Sequence, residues 1–292
     1  MKHTLAAILL ISIAVTAQEK ISKDPKSHCR RFSKETKLEA DLPEGSGLAA
    51  WDGKLWAIND SGTPSIFTLD TATAAVTGRY ELPLHDRDWE DLAQDSEYFY
   101  LCDTGNNMRD VRTLHIYRIG KKSLVAHKPE IDTIAFQWPK IEVMGKKKRI
   151  NFDCEAVAAI GDSLYLFTKE WRGVRQTRLF SIPKKPGQYT AHYRATMHTR
   201  VLVTGASYDE KNQTLALCGY NLTLRPFVFL LRNFDPGDPF RHCVKIAIRR
   251  PFRQTEGIAT FDGKRFFIVN ENFHFLILKT SARLNRLDVG NR

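Results

Sequence analysis

Three glutamates of this chain, Glu90, Glu155 and Glu256, each open a short segment in which the acid precedes a small or acidic residue and then small or apolar ones. Ser46 and Thr204 open two more segments of the same kind. Brought to one place, these positions offer carboxylates and hydroxyls, hard oxygen donors that suit a calcium ion. The set contains no His or Cys, which disfavours zinc and copper. Without a cation, repulsion among three carboxylates would raise the pKa of at least one. A protonated glutamate, or backbone amides donating to all three, is the alternative.

A repeat is what could bring them together. Ser46-Gly47-Leu48-Ala49 runs to KLWAIND at Asp60, and Glu90-Asp91-Leu92-Ala93 to YFYLCD at Asp103. Glu155-Ala156-Val157-Ala158 runs to SLYLFTK at Lys169, Thr204-Gly205-Ala206-Ser207 to TLALCGY at Tyr220, and Glu256-Gly257-Ile258-Ala259 to RFFIVNE at Glu271. Asp52-Gly53, Gly161-Asp162, Asp262-Gly263 and polar clusters around Ser96 and Asn212 separate the halves, so each repeat opens with a β-hairpin. A third apolar strand follows: SIFTLD from Ser65, LHIYRI from Leu114, RLFSIP from Arg178, PFVFLL from Pro226 and FHFLILK from Phe273. A fourth is visible in four repeats, as VTGRYELP, DTIAFQWP, HYRATMHTRV and CVKIAIRR.

Onsets at 46, 90, 155, 204 and 256 are spaced by 44, 65, 49 and 52 residues. Four antiparallel strands at this period predict an all-β fold, a five-bladed β-propeller of four-stranded antiparallel blades. The last repeat ends in an indistinct SARLNRLDV, so the stretch Lys37 to Pro43 is expected to supply the missing outer strand and close the ring. Closure by an N-terminal strand would remove an edge that invites aggregation. An open two-sheet sandwich is the alternative, but five repeats in phase are hard to place in it. The expected division is a signal peptide over 1–17, an N-terminal extension over 18–36 and a single propeller domain over 37–292.

In such a fold the first strand of each blade lies nearest the axis, and the end of the second strand shares a rim with the start of the first. The predicted metal ring is therefore Ser46, Glu90, Glu155, Thr204 and Glu256. A second tier surrounds it, with Asp60, Asn106, Arg109, Lys169, Trp171, Arg172 and Asn270 as candidate ligand-binding residues. If the protein is a hydrolase, a cation would polarise an ester oxygen, Asp103 or Glu271 would serve as general base, and Lys169 or Arg172 would meet negative charge. No G-x-S-x-G stands in the chain to supply a serine elbow.

The openings SGLAAWDGKLWAIND, DCEAVAAIGDSLYLFTKEW and TEGIATFDGKRFFIVNE resemble two kinds of secreted propeller. One is the SdiA-regulated and phytase-like esterase group; the other is the five-bladed calcium-dependent apyrase family, whose axial ring of hydroxyl and acidic residues holds calcium beside the nucleotide site. The resemblance covers about residues 38 to 280 and implies calcium at the same five positions, with LYLFTKEW similar to the apyrase third blade. The chain departs from that pattern at Thr204-Gly205-Ala206 and lacks the longer apyrase insertions. Two functions stand side by side: a calcium-dependent hydrolase of an anionic ester, phosphoester or nucleotide, and a non-catalytic binding propeller with a structural calcium ion.

The remaining features bear on compartment and partner. Met1-Lys2-His3, an apolar run from Leu5 to Val15 and Val15-Thr16-Ala17 before Gln18 read as a cleaved secretory signal, which predicts a secreted or periplasmic protein. No window approaches the roughly 18 consecutive apolar residues of a membrane helix. The 292 residues carry a formal charge of +11, and removal of Lys2 leaves +10. A basic surface favours a small anionic ligand or an extracellular polymer. The runs Lys146-Lys147-Lys148-Arg149, Lys184-Lys185 and Arg249-Arg250 lie between strands, and with an export signal they speak against nucleic acid as the partner. Cys29, Cys102, Cys154, Cys218 and Cys243 form no C-x-x-C; the expectation is mostly buried thiols, with one disulfide left open.

Overall fold

The computed structural model describes residues 21–22, 27–38, 42, 44–59, 62–108, 110–143, 146–148, 152–171, 176–275 and 278–290. The signal peptide lies outside them. Among the described residues no helix is long and apolar enough to cross a membrane.

Alternating apolar runs and tight turns give four-stranded antiparallel blades in chain order. Blade one is Gly45–Trp51, Lys54–Asn59, Ser65–Leu69 and Val76–Glu81. Its first turn holds Asp52 at φ 51° and Gly53 at φ 70°. Positive φ at both central residues matches the twist of paired strands, which is why Asp-Gly serves there. Blade two is Trp89–Gln94, Tyr98–Asp103, Leu114–Gly120 and Ile131–Gln137; blade three is Asp153–Ile160, Ser163–Lys169, Thr177–Pro183 and His192–Met197. Blade four is Leu202–Asp209, Thr214–Tyr220, Pro226–Arg232 and Cys243–Ile248.

Blade five departs from the expected strand assignment. Its strands are Thr255–Thr260, Arg265–Asn270, Arg283–Asp288 and Lys34–Lys37. The segment FHFLILK is not the third strand: Phe273–Phe275 pairs with Leu278–Thr280 as a separate hairpin. The neck of that excursion is held by Asn270, whose Nδ2 donates to Glu271 O (3.0 Å) and Ser281 O (3.2 Å), and by Asn272 Oδ1, which accepts from Ala282 N (2.8 Å). The indistinct SARLNRLDV takes the third place because Leu284 and Leu287 bury there. Asn285 beside them donates to Ile268 O at 3.0 Å and to Asn270 Oδ1 at 2.9 Å.

An N-terminal strand closes the ring: it is Lys34–Lys37, antiparallel to Arg283–Asp288, so the closing strand begins earlier than expected and shares only Lys37 with the stretch Lys37 to Pro43, of which residues 39–41 and 43 lie outside the described residues. The residues before it form a belt. Ser27–Arg30 pairs in parallel with the outer strand of blade four, and Ile21–Ser22 with that of blade three. Gly187–Thr190 covers blade two in the same way. Each addition satisfies backbone groups that an open edge would present to solvent or to another chain.

The core is divided by blade interface. Five buried clusters fill the gaps between blades one and two, two and three, three and four, four and five, and five and one. Phe167 and Phe229, for example, pack between blades three and four. None of the five cysteines is disulfide-bonded; Cys102, Cys154 and Cys218 are buried and Cys29 is exposed.

Candidate metal centre

One backbone device aims the ring residues. In each innermost strand the pairing with the second strand skips one residue. The skipped residues are Ser46, Glu90, Glu155, Thr204 and Glu256. A bulge leaves its extra residue unpaired and turns its side chain away from the regular pleat. Five bulges in equivalent places therefore present five side chains at the axial rim. The small residues that follow let the strands converge: a Cβ on Gly47 would lie 2.5 Å from Leu92 N, and one on Gly205 2.5 Å from Glu256 O.

In blade two the small residue is replaced by Asp91, whose carboxylate is fully buried. It accepts from its neighbour Leu92 N (2.8 Å), from Val157 N of blade three (2.9 Å) and from Ala206 N of blade four (3.1 Å). Innermost strands leave one edge unpaired toward the axis, and a buried N–H without an acceptor is costly. Asp91 supplies that acceptor to blade three beside it and to blade four beyond. Burial raises its pKa, and the three amides oppose the rise.

The ring converges, but not symmetrically. The Lys169 ammonium pairs with Glu155 Oε2, and both side chains are almost wholly buried. Burial alone would lower the lysine pKa; Glu155, then Glu256, more than offset it and hold it above the ordinary value. Glu155 is pushed up by burial and by the charge of Glu90. Glu256 is raised by burial, with Lys169, Gln254, Thr204 and Tyr220 acting against the rise. Thr204 Oγ1 donates to Thr255 O at 2.5 Å. Ser46 Oγ is buried with no hydrogen-bond partner among the described residues.

The densest acid lies off the axis, between blades two and three. Carboxylate oxygens of Glu90, Asp153 and Glu155 lie within 4.8 Å of one another. Asp88 joins them: its pKa is raised by burial and by Asp153, and its carboxylate hydrogen-bonds that of Glu90. Both press on Gly105, where a Cβ would fall 2.1 Å from Asp88 and 2.4 Å from Glu90 Oε1. Only glycine permits that approach. Asp86, half-buried at the margin, is pushed up to about 6 by burial and by Asp103.

Among the described residues the second tier divides into buried side chains and one that stays well exposed, Trp171. Asp103 is buried, accepts from Asp88 N (3.0 Å) and meets Arg87 at 3.5 Å; burial raises its pKa. These contacts hold Asp103, a candidate general base, against the loop beside the cluster. Asn106 also braces: its N donates to Asp153 Oδ1 (2.8 Å), and its amide pairs with Val111 N and O. Asn270 holds the blade-five neck described above. Glu271 Oε2 accepts from Gln254 Nε2 at 3.0 Å. Trp171 is 45% exposed, and its Nε1 donates to Asn107 Oδ1 at 2.9 Å and lies 3.4 Å from Asp153 Oδ2. Asp60, Arg109 and Arg172 lie outside the described residues.

No protein-family model matches the sequence, and no curated protein matches it. Among solved structures, the fold is similar to that of a putative oxidoreductase (glucose dehydrogenase) from Thermus thermophilus. The TM-score is 0.46 at 11% identity, over 87% of this chain and 99% of that one. At that distance the likeness carries no argument; the five-bladed fold stands on the strand pairings.

Sequence reasoning missed Asp88, Asp153 and Asp91. A signal for the first two was present. Two residues before the ring position stand Glu44, Asp88, Asp153, Leu202 and Gln254, so Asp-x-Glu occurs in repeats two and three only. That asymmetry places the acid between those two blades.

Proposed function

We infer that this is an exported calcium-binding propeller whose cation is held by Glu90, Asp153 and Glu155 and presents an anionic ligand at the rim. The carrying observation is the convergence of those three carboxylates. The donor chemistry fits a hard cation: every candidate ligand is an oxygen, and Glu155 Oε1 is buried with no hydrogen-bond partner among the described residues. Lys169 is one ammonium facing Glu155, Glu256 and Glu90, while Asp88 and Asp153 add further acid. A divalent ion would reduce that excess without exhausting it. Calcium bound there would polarise an oxygen of the ligand. Export is supported by the leader-like start of the sequence, and calcium by the resemblance to the esterase-like and apyrase propellers.

Calorimetric titration with calcium tests this reading. The expected result is saturable binding that Asp153→Asn and Glu155→Gln weaken and EDTA abolishes; no heat of binding in the intact chain would refute it. A hydrolytic role is a second reading, favoured by Asp86, whose half-buried carboxyl near 6 suits proton transfer at neutral pH. Turnover of a phosphoester, nucleotide and carboxylic ester panel, lost with EDTA, would distinguish it from pure binding.

A further inference from the structure

The geometry points to an acidic-sugar subsite beside the cation, with Trp171 as the stacking platform and the uronate residue of an anionic polysaccharide as the ligand. This rests on the calcium reading above and names its ligand class.

The platform is built. The loop after blade two's second strand is bolted to the acid cluster by Thr104 Oγ1 to Cys154 O (2.6 Å), Asn106 N to Asp153 Oδ1 (2.8 Å) and Arg87 to Gly105 O (2.8 Å). Asn107, exposed on that loop, receives the Trp171 N–H. The indole is therefore fixed by its polar edge while nearly half of the residue remains open. Lys169 Nζ sits 4.7 Å from the ring centroid. Because Lys169 is 6% exposed, its side of the ring faces inward, and the opposite face is the one open to a ligand. Met108, next to Asn107 in the chain, is 85% exposed.

The ligand must combine two properties. It needs a flat face of weakly positive C–H groups to lie on the negative face of an indole, and hard oxygens to reach a cation a few ångströms away. A pyranose ring supplies the first; its carboxylate and hydroxyls supply the second. Charge selects the acidic sugar over the neutral one. Arg112 and Lys140 are exposed on this rim. Exposed cations of this kind beside a bound calcium ion would favour a polyanion.

The test uses the mature chain and two soluble probes, trigalacturonate and cellotriose, followed by tryptophan fluorescence with calcium or EDTA. Calcium binding is read separately, by calcium-dependent melting and by terbium emission sensitised through Trp171. We expect trigalacturonate to bind only with calcium and cellotriose not to bind. Trp171→Ala should weaken trigalacturonate about tenfold, an effect of stacking size, and keep the calcium-dependent melting shift; Trp171→Phe should recover part of the affinity. Calcium binding without trigalacturonate binding, equal affinity in Trp171→Ala, or equal binding of cellotriose would overturn the inference and leave the cation reading standing. Absence of both the melting shift and the emission would overturn both.

Discussion

The Lys169 ammonium lies against the Glu155 carboxylate with both side chains buried at the propeller axis, so a fixed cation already neutralises part of the acid there. Removing one member of a buried pair leaves the other charge uncompensated, at a cost of about 3–5 kcal/mol. Lys169→Met should lose about that much stability in EDTA and regain a large part of it in calcium. Denaturant unfolding under the two conditions measures both.

Asp91 is expected to behave as an axial clasp. Asp91→Asn keeps the shape but turns an amide donor toward a backbone donor in either orientation, Leu92 N in one and both Val157 N and Ala206 N in the other. Hydrogen bonds to a charged group contribute about 1.5–3 kcal/mol each, so a loss of about 2–4 kcal/mol is predicted. Urea unfolding should show a lower midpoint with an unchanged slope.

The N-terminal belt predicts a graded effect of truncation. Removing residues 18–30 uncovers the outer strands of blades three and four but leaves Lys34–Lys37 to close blade five. It should lower the melting temperature by roughly 5 °C, on the scale of ~2 kcal/mol for a chain of this size, and promote self-association through the bared edges. Removing residues 18–37 opens the ring and should abolish the cooperative transition. Size-exclusion chromatography and thermal melts of the two truncations check the difference.

Lys121 gives a pH signature. It is buried against Trp51 and Phe99, donates to Gln94 Oε1 (2.9 Å) and Asp95 O (2.6 Å), and burial lowers its pKa to about 8. Between about 8 and the ordinary 10.5 the unfolded chain holds a proton that the folded chain has released. Stability contributed by this group therefore rises with pH across that window and is level below it. Lys121→Met should remove the rise, a difference of at most about 3.4 kcal/mol, seen by comparing unfolding of the two proteins at the ends of the window.

Much of this molecule was legible in the sequence because the repeat is carried by short-range chemistry. Asp-Gly turns in blades one and five, Gly161-Asp162 in blade three and alternating apolar strands set those hairpins, and the ring positions are the five bulges. Blade five's third strand was misread because FHFLILK is the more apolar segment, while the strand that packs is defined by its pairing and by Asn285, both long-range. The belt was missed for the same reason: SHCR and KETK have no apolar alternation, and they form strands because a neighbouring blade offers an open edge. The five ring positions were legible in the sequence, but the off-centre grouping of Glu90, Asp153 and Glu155 was not. Asp153 and Asp88 gain their meaning from a neighbouring blade, and Lys169 from the carboxylates around it.

Thermal melting of the mature chain in calcium, in magnesium and in EDTA tests the central claim most directly. A ligand that binds only the folded state stabilises it by about 2.7 kcal/mol at one hundred times its dissociation constant. Saturating calcium should therefore raise the melting temperature by several degrees over EDTA, magnesium should do so less, and Glu155→Gln should blunt the calcium shift. Coincident curves in calcium and EDTA would contradict a cation at Glu90, Asp153 and Glu155.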